Sequence, residues 1–453
     1  MRLKAPRRRG SISAALRGVK QATTGATQFS DGIILGTMAF LSTALDRVSH
    51  SFLGWRMVGL MLPPRAVGTG IFIVGSTLFV IPLEQSLGIQ RSVTSLLFAL
   101  SGLVGGVTAP LSGALMDRVG PRRVLLGSVV VMAVGYGLFA VSPNVAFLFA
   151  VFMLPIGLTS LNVAYNGSSG LVNNWFERYK ATAMSALQVG SGLGVLLLVP
   201  ALALTIETWG WRIAAVAAGA AVLLIGFPAT WFSRDTPEEM GLLPDGAPAA
   251  DLGSPPAGEG TGQSARAALR TPAFWVMTAA GVCFGGALSG MTIHFVPVLV
   301  WKGMDPVTGA LVLTMSAAVG MPLALVAGPL ADRFGPLNVA AVVSLVAGAG
   351  IAVINVAQQE WAIWGGALLF SVYFSLYSLL WAALGRTFGR RAYSTIRGYM
   401  MAGQIGGTTG VPVLAGVLFD RSGSYALTLW LIVGLWAASA LLLALAARQR
   451  PTA

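Results

Sequence analysis

GALMDRVGPRR, residues 113–123, returns as GPLADRFGPLN at 328–338, an offset of 215. Each copy joins the end of one long apolar run to the start of the next. A second pair, MSALQVGSGLG at 184–194 and MMAGQIGGTTG at 400–410, repeats at an offset of 216. Within it Met184, Gln188, Gly190 and Gly194 match Met400, Gln404, Gly406 and Gly410. Glycine-rich helices resemble one another by chance, but the Asp-Arg-x-Gly-Pro core is polar and specific. Two matches at nearly one offset predict two halves of equal build.

The runs around these repeats set the fold class. Of 453 residues, 55% are hydrophobic and only 10% are charged, and the mean hydropathy is +0.76. That composition leaves too little polar surface to cover a water-soluble enzyme, and it excludes a disordered chain. The single cysteine, Cys283, excludes a disulfide scaffold and reads as a small buried hydrophobe. Twelve apolar runs recur near 57–83, 92–115, 124–142, 146–172, 181–206 and 213–232, then 273–300, 307–330, 337–356, 361–384, 398–419 and 426–447. Each is long enough to cross a hydrocarbon core of about 30 Å at about 1.5 Å rise per residue. The expected fold is all-α integral membrane, with twelve transmembrane helices in two six-helix pseudo-symmetric halves. Six is even, so both halves start on the same side. Such halves are related by an axis along the membrane normal, with a substrate site between them near the midplane.

Five segments follow: a basic arm at 1–53, the first half at 54–232, a linker at 233–272, the second half at 273–447 and a tail at 448–453. In the arm, IILGTMAFLSTAL at 33–45 spans roughly 20 Å as a helix. It is too short to cross and reads as an interfacial helix rather than a signal peptide. The linker is rich in Pro, Gly, Ser and acid and reads as flexible. With the N-terminus inside, 24 of the 29 Lys and Arg fall on the cytoplasmic side. Four, Arg91, Arg212, Lys302 and Arg421, fall on the other, and Arg65 lies inside span one. The excess predicts cytoplasmic termini in a cell inner (plasma) membrane, facing lipid. It also accounts for the net charge of +13 without nucleic acid.

All 16 acidic residues fall in loops, arms or span ends. No carboxylate relay through the spans is expected, and no paired acidic cluster that a metal-dependent membrane enzyme would need. No catalytic or phosphate-binding motif is present. The expectation is a protein that is not an enzyme, with no metal and no cofactor.

Arg65 is the one cation inside a span, behind Pro63 and Pro64, which would interrupt the helical ladder. One reading is a guanidinium that grips a substrate carboxylate by paired hydrogen bonds. The other starts span one at Pro64 and lets Arg65 snorkel to the surface. His294, near the outer end of span seven, could bind an anion, take a proton in transit, or bridge helices. Asn162, Tyr165 and Asn166 share a helical face in span four by their spacing. Tyr373 and Tyr377 lie one turn apart in span ten, near Ser375 and Trp381. Gln188 and Gln404 are repeat equivalents about 10 Å inside their spans, where an amide either joins helices or contacts a solute.

Gly113-x-Leu115-x-Asp117-Arg118-x-Gly120-x-Arg122-Arg123 resembles the signature loop of the major facilitator superfamily, and Gly328 to Gly335 its second-half copy. Within it the chain is similar to the monocarboxylate-transporter-like branch, especially its prokaryotic members. Gly54-Trp55-Arg56, Trp175-Phe176, the linker stretch Pro237-Glu238-x-x-Gly241-Leu242-x-Pro244-Asp245-Gly246, His294-x-x-Pro297 and Gly416-x-x-Phe419-Asp420-x-x-Gly423-x-Tyr425 carry that likeness. The resemblance implies that spans one, four, seven and ten line the cavity. It also implies that Asp117, Arg118, Arg122 and Arg123, with Asp332 and Arg333 as a weaker copy, form a charge network broken and remade in alternating access. One departure stands out. The Asp and Arg that animal members place in span eight align here with Ala317 and Met321.

The expected function is a secondary transporter of a small organic anion, a monocarboxylate, with protons as a coupling ion. Two alternatives remain: a facilitator or exporter of a neutral or amphipathic solute, and a non-transporting receptor or scaffold on the same fold.

Overall fold

The computed structural model describes residues 52–246 and 262–449. The arm at 1–51, including the proposed interfacial helix at 33–45, lies outside the described residues. The first half comprises α1 (Leu53–Leu87), α2 (Arg91–Val119), α3 (Pro121–Ala140), α4 (Val145–Trp175), α5 (180–209) and α6 (211–231). The second comprises α7 (Pro272–Trp301), α8 (Pro306–Phe334), α9 (Pro336–Val356), α10 (Glu360–Phe388), α11 (Tyr393–Ser422) and α12 (Ala426–Arg448).

Among the described residues, 11 helices are long and apolar enough to cross a membrane. One runs from Lys180 to Trp231 and is broken at Gly210, where φ is 81° and ψ is 165°. Counting it as α5 and α6 makes twelve spans, in agreement with the sequence reading. The outer surface is apolar, as a lipid-facing one must be. Leu111, Leu224 and Trp361 are each more than 70% exposed.

The repeated motif now has a physical account. Gly120 and Gly335 turn the chain between α2 and α3 and between α8 and α9, at φ 95° and 90°. L side chains are strained in that region, so glycine is required. Pro121 and Pro336 then start the next helices at the position where a missing N–H costs nothing. Pro272 and Pro306 start α7 and α8 in the same way, behind side-chain caps from Thr271 and Asp305.

Several first-half helices contain wide π-helical turns: Gly68–Val74 in α1, Phe152–Ile156 and Asn162–Asn166 in α4, Gly194–Leu198 in α5, and Val222–Gly226 in α6. In α10 the backbone tightens instead, over Ser371–Ser375. Such departures redirect side chains by a fraction of a turn and often mark functional segments.

Part of the linker is fastened down rather than loose. Asp235 accepts the Arg122 backbone N–H at 2.6 Å, at the start of α3. Asp245 accepts N–H groups of Glu177, Arg178 and Tyr179, between α4 and α5. Glu238 meets Arg390, between α10 and α11, in a two-pronged ion pair at 2.8 and 3.1 Å. Acidic residues in a stretch that reads as flexible are therefore hydrogen-bond acceptors for both halves. Residues 247–261 lie outside the described residues.

Candidate functional site

Arg65 lies in the first helix of the chain's first half and is 5% exposed. That burial excludes the reading in which it snorkels to a surface. Its Nε donates to Ser191 Oγ of α5 at 3.0 Å, and its Nη1 to Ser168 Oγ of α4 at 3.2 Å. Its Nη2 donates to Gln188 Oε1. The ring of Tyr165 lies beneath it, 5.1 Å from Cζ to centroid. A guanidinium has five N–H donors, so about two remain for another acceptor. All of its hydrogen-bond acceptors here are neutral.

Gln188 also reaches the other half, donating from Nε2 to the Phe374 carbonyl of α10 at 3.3 Å. Tyr373 packs between Phe370 and Phe374, with centroids 4.7 and 4.5 Å away. Tyr377 meets Phe284 of α7 edge-on at 4.9 Å and stacks toward Trp381 at 6.1 Å. Gln404 of α11 is buried against Gly281 of α7, and its Nε2 has no hydrogen-bond partner among the described residues.

Two expected sets fall elsewhere. Asn162 and Asn166 bond each other at 3.2 Å, and Asn162 donates to Ser128 Oγ of α3 at 3.3 Å. They do not share the face of Tyr165. Their spacing was read as three and four residues on a regular helix, but the π turn at 162–166 widens the backbone and separates them. Asn162 and Thr159 instead line a groove of about 470 Å³ between α2, α3 and α4, with Leu111, Leu115, Arg123 and Leu158. His294 lies between Tyr425 Oη and the Pro412 carbonyl, each 3.2 Å from a ring nitrogen. Its partners all belong to the second half, which favours the helix-bridging alternative.

Each repeated loop reaches across the seam to the start of a helix in the opposite half. Asp117, at the end of α2, accepts N–H groups of Ser394 and Thr395 at 3.0 and 2.8 Å, and the Thr395 hydroxyl at 2.5 Å. Asp332, at the end of α8, accepts N–H groups of Ala181 and Thr182 at 2.9 Å each, and the Thr182 hydroxyl at 2.5 Å. Each carboxylate thus caps the first turn of a helix in the opposite half, where unpaired N–H groups attract negative charge. Arg386 adds an ion pair to Asp332 at 2.6 Å. Ser185 and Ser378 hydroxyls face each other across the same seam at 3.1 Å.

The second copy of the loop is as well built as the first, because its carboxylate does the bonding. The expected arginines behave differently. Arg118 and Arg333 are exposed, while Arg122 donates from Nη2 to the Trp231 carbonyl and Arg123 from Nη1 to the Val119 carbonyl.

Sequence reasoning missed Arg397. It was placed in the loop before span eleven, but α11 starts at Tyr393 and Arg397 is 2% exposed. Its Nη1 donates to the Tyr165 carbonyl at 3.2 Å, and its Cζ lies 4.5 Å from the centroid of a Trp381 ring. The Trp381 aromatic surface and the hydrogen bond to a carbonyl offset its burial only in part.

Two six-helix halves, latched to each other by the repeated-loop carboxylates and holding buried cations that meet no carboxylate among the described residues, have the build of a multi-pass membrane transporter. The chain belongs to the Major Facilitator Superfamily, whose model matches residues 23–411. It is 28% identical over 348 residues to human Monocarboxylate transporter 11, covering 73% of this chain and 70% of that one. It is 25% identical over 218 residues to the Oxalate:formate antiporter of Oxalobacter formigenes, covering 47% and 48%. Its fold is similar to that of the transporter FucP in the outward conformation, with a TM-score of 0.67, 15% identity, and 86% and 99% of the two chains covered. It is also similar to the human organic anion transporter MFSD10, at a TM-score of 0.61, 17% identity, and 85% and 97% coverage.

Proposed function

We propose that the protein carries small organic anions across the plasma membrane, a monocarboxylate in the first instance, with Arg65 as the anchor for the substrate carboxylate. The observation that carries this reading is a guanidinium buried in the first helix, held by Ser168, Gln188 and Ser191. It has donors left over, and among the described residues its positive charge has no acid beside it. Neutral acceptors orient the fork without neutralising it, which leaves it free for an anion. The likeness to a monocarboxylate transporter and to an oxalate:formate antiporter supports an anionic cargo.

Transport works by rocking of the two halves. Asp117 and Asp332 are the latches of the linker end, taken as cytoplasmic from the excess of Lys and Arg there. While both hold, that end is shut and the site opens to the other. Arg122, Arg123, Arg118 and Arg333 anchor the same end. His294 spends both ring nitrogens on Tyr425 and Pro412, so its role is to brace α7 against α11 and the start of α12.

Uptake of labelled lactate, pyruvate and acetate into proteoliposomes tests the reading. Anion uptake by wild type that collapses in Arg65→Ala is the expected result. Uptake of uncharged solutes alone would transfer support to a neutral facilitator, and no flux of any solute to a scaffold.

A further inference from the structure

The second buried cation changes what the anion should look like. Arg397 comes from the second half, one turn past the residues that Asp117 caps. Arg65 comes from the first. Tyr165 touches both: its ring lies under Arg65 and its carbonyl accepts from Arg397. The two guanidiniums therefore share one tyrosine as a contact.

Among the described residues, the ion pairs join Arg386 to Asp332 and Arg390 to Glu238, and neither Arg65 nor Arg397 meets a carboxylate. A donor is also left over. Arg397 Nε is buried without a partner among the described residues. Buried charges are normally paired, and buried polar atoms normally bonded. A single carboxylate carries one negative charge and would neutralise only one of the two guanidiniums.

We propose that Arg65 and Arg397 form a two-headed clamp, one guanidinium from each half, for a short dianion with a carboxylate at each end. This deepens the anion reading above and rests on it. One head binds the Arg65 fork. The other binds Arg397, whose Nε is buried without a partner among the described residues. Trp381, under Arg397, and Tyr377, stacked toward it, wall the site with rings that exclude water. Because the heads engage opposite halves, only a ligand of the right length ties both together. Monocarboxylates bind as one-headed, weaker ligands.

The test uses the full chain in proteoliposomes. Uptake of labelled acetate is competed with malonate, with a longer dicarboxylate such as adipate, and with sulfate. The expected result is that malonate competes at concentrations roughly tenfold or more below unlabelled acetate, as a second charge-assisted contact would allow. Arg397→Gln is expected to erase that preference, and Arg397→Lys to keep part of it. The wild-type competition stands even if the variants fail to fold. If acetate is carried but malonate competes no better than acetate, the clamp is wrong and the anion reading survives. Competition by sulfate and not by malonate overturns the two-headed form. If no anion is carried or bound, both readings fall.

Discussion

Arg65 shows how far a single side chain can be read and where its replacement should matter. Its three hydrogen bonds go to side chains on α4 and α5, so the fork is oriented before any ligand arrives. Lysine would keep the charge but not the planar fork. Arg65→Lys should therefore lower the apparent affinity for an organic anion by roughly tenfold or more, since a charge-assisted hydrogen bond is worth about 1.5–3 kcal/mol. Concentration dependence of uptake checks this, and an unchanged half-saturation would place the anion elsewhere. The residue was legible because a cation in an apolar run is expensive and so has few explanations. Its partners were not legible, because Ser168 and Ser191 look like any small residues in a membrane helix.

At the scale of helices, the caps at the seam make the sharpest prediction. Asp117→Asn or Asp332→Asn keeps the shape but removes the charge that faces two N–H groups. Each change should weaken the closed linker end by about 1–2 kcal/mol. In a Ser185→Cys background with Cys283→Ala, aqueous thiol reagents should then label faster, because Ser185 faces Ser378 across the seam. Unchanged labelling would remove these residues from the gate. Packing between α1 and α5 gives a second prediction. Gly194 stands against the Ala66 backbone, where a Cβ would collide with the carbonyl oxygen. Gly194→Val should destabilise by about 1–3 kcal/mol through overpacking, read as a fall in melting temperature. The same helices show what was readable. Periodicity and the repeated loop placed all twelve spans, and the glycine and proline of that loop recur for stereochemical reasons. Arg397 was lost because an apolar window stops at the first charge. The repeat could have rescued it: span five was started at residue 181, and an offset of 216 starts span eleven at 397. The split of Asn162 from Tyr165 had no comparable signal. A π turn depends on packing, and its sequence NVAYN at 162–166 looks like regular helix.

Across the whole molecule, the linker ties the halves together near the caps. Asp235 and Asp245 bind the first half, and Glu238 holds Arg390 in the second. The ion pair is partly exposed, so its static worth is small, about 0–1 kcal/mol. Its effect should instead appear as a rate. Glu238→Gln should speed opening at the linker end and raise the turnover of transport a few-fold at low ionic strength, with less change in high salt. Equal turnover at both salt concentrations would show that the strap does not govern opening.

The capping carboxylates are exchanged between halves, Asp117 reaching forward to α11 and Asp332 reaching back to α5. Freeing one leaves the other still spanning the same boundary, so partial release produces no aperture. If the halves rock as proposed, the end opens only when both caps have let go, and this reciprocity would disfavour half-open, leaky postures that let ions slip past unaccompanied.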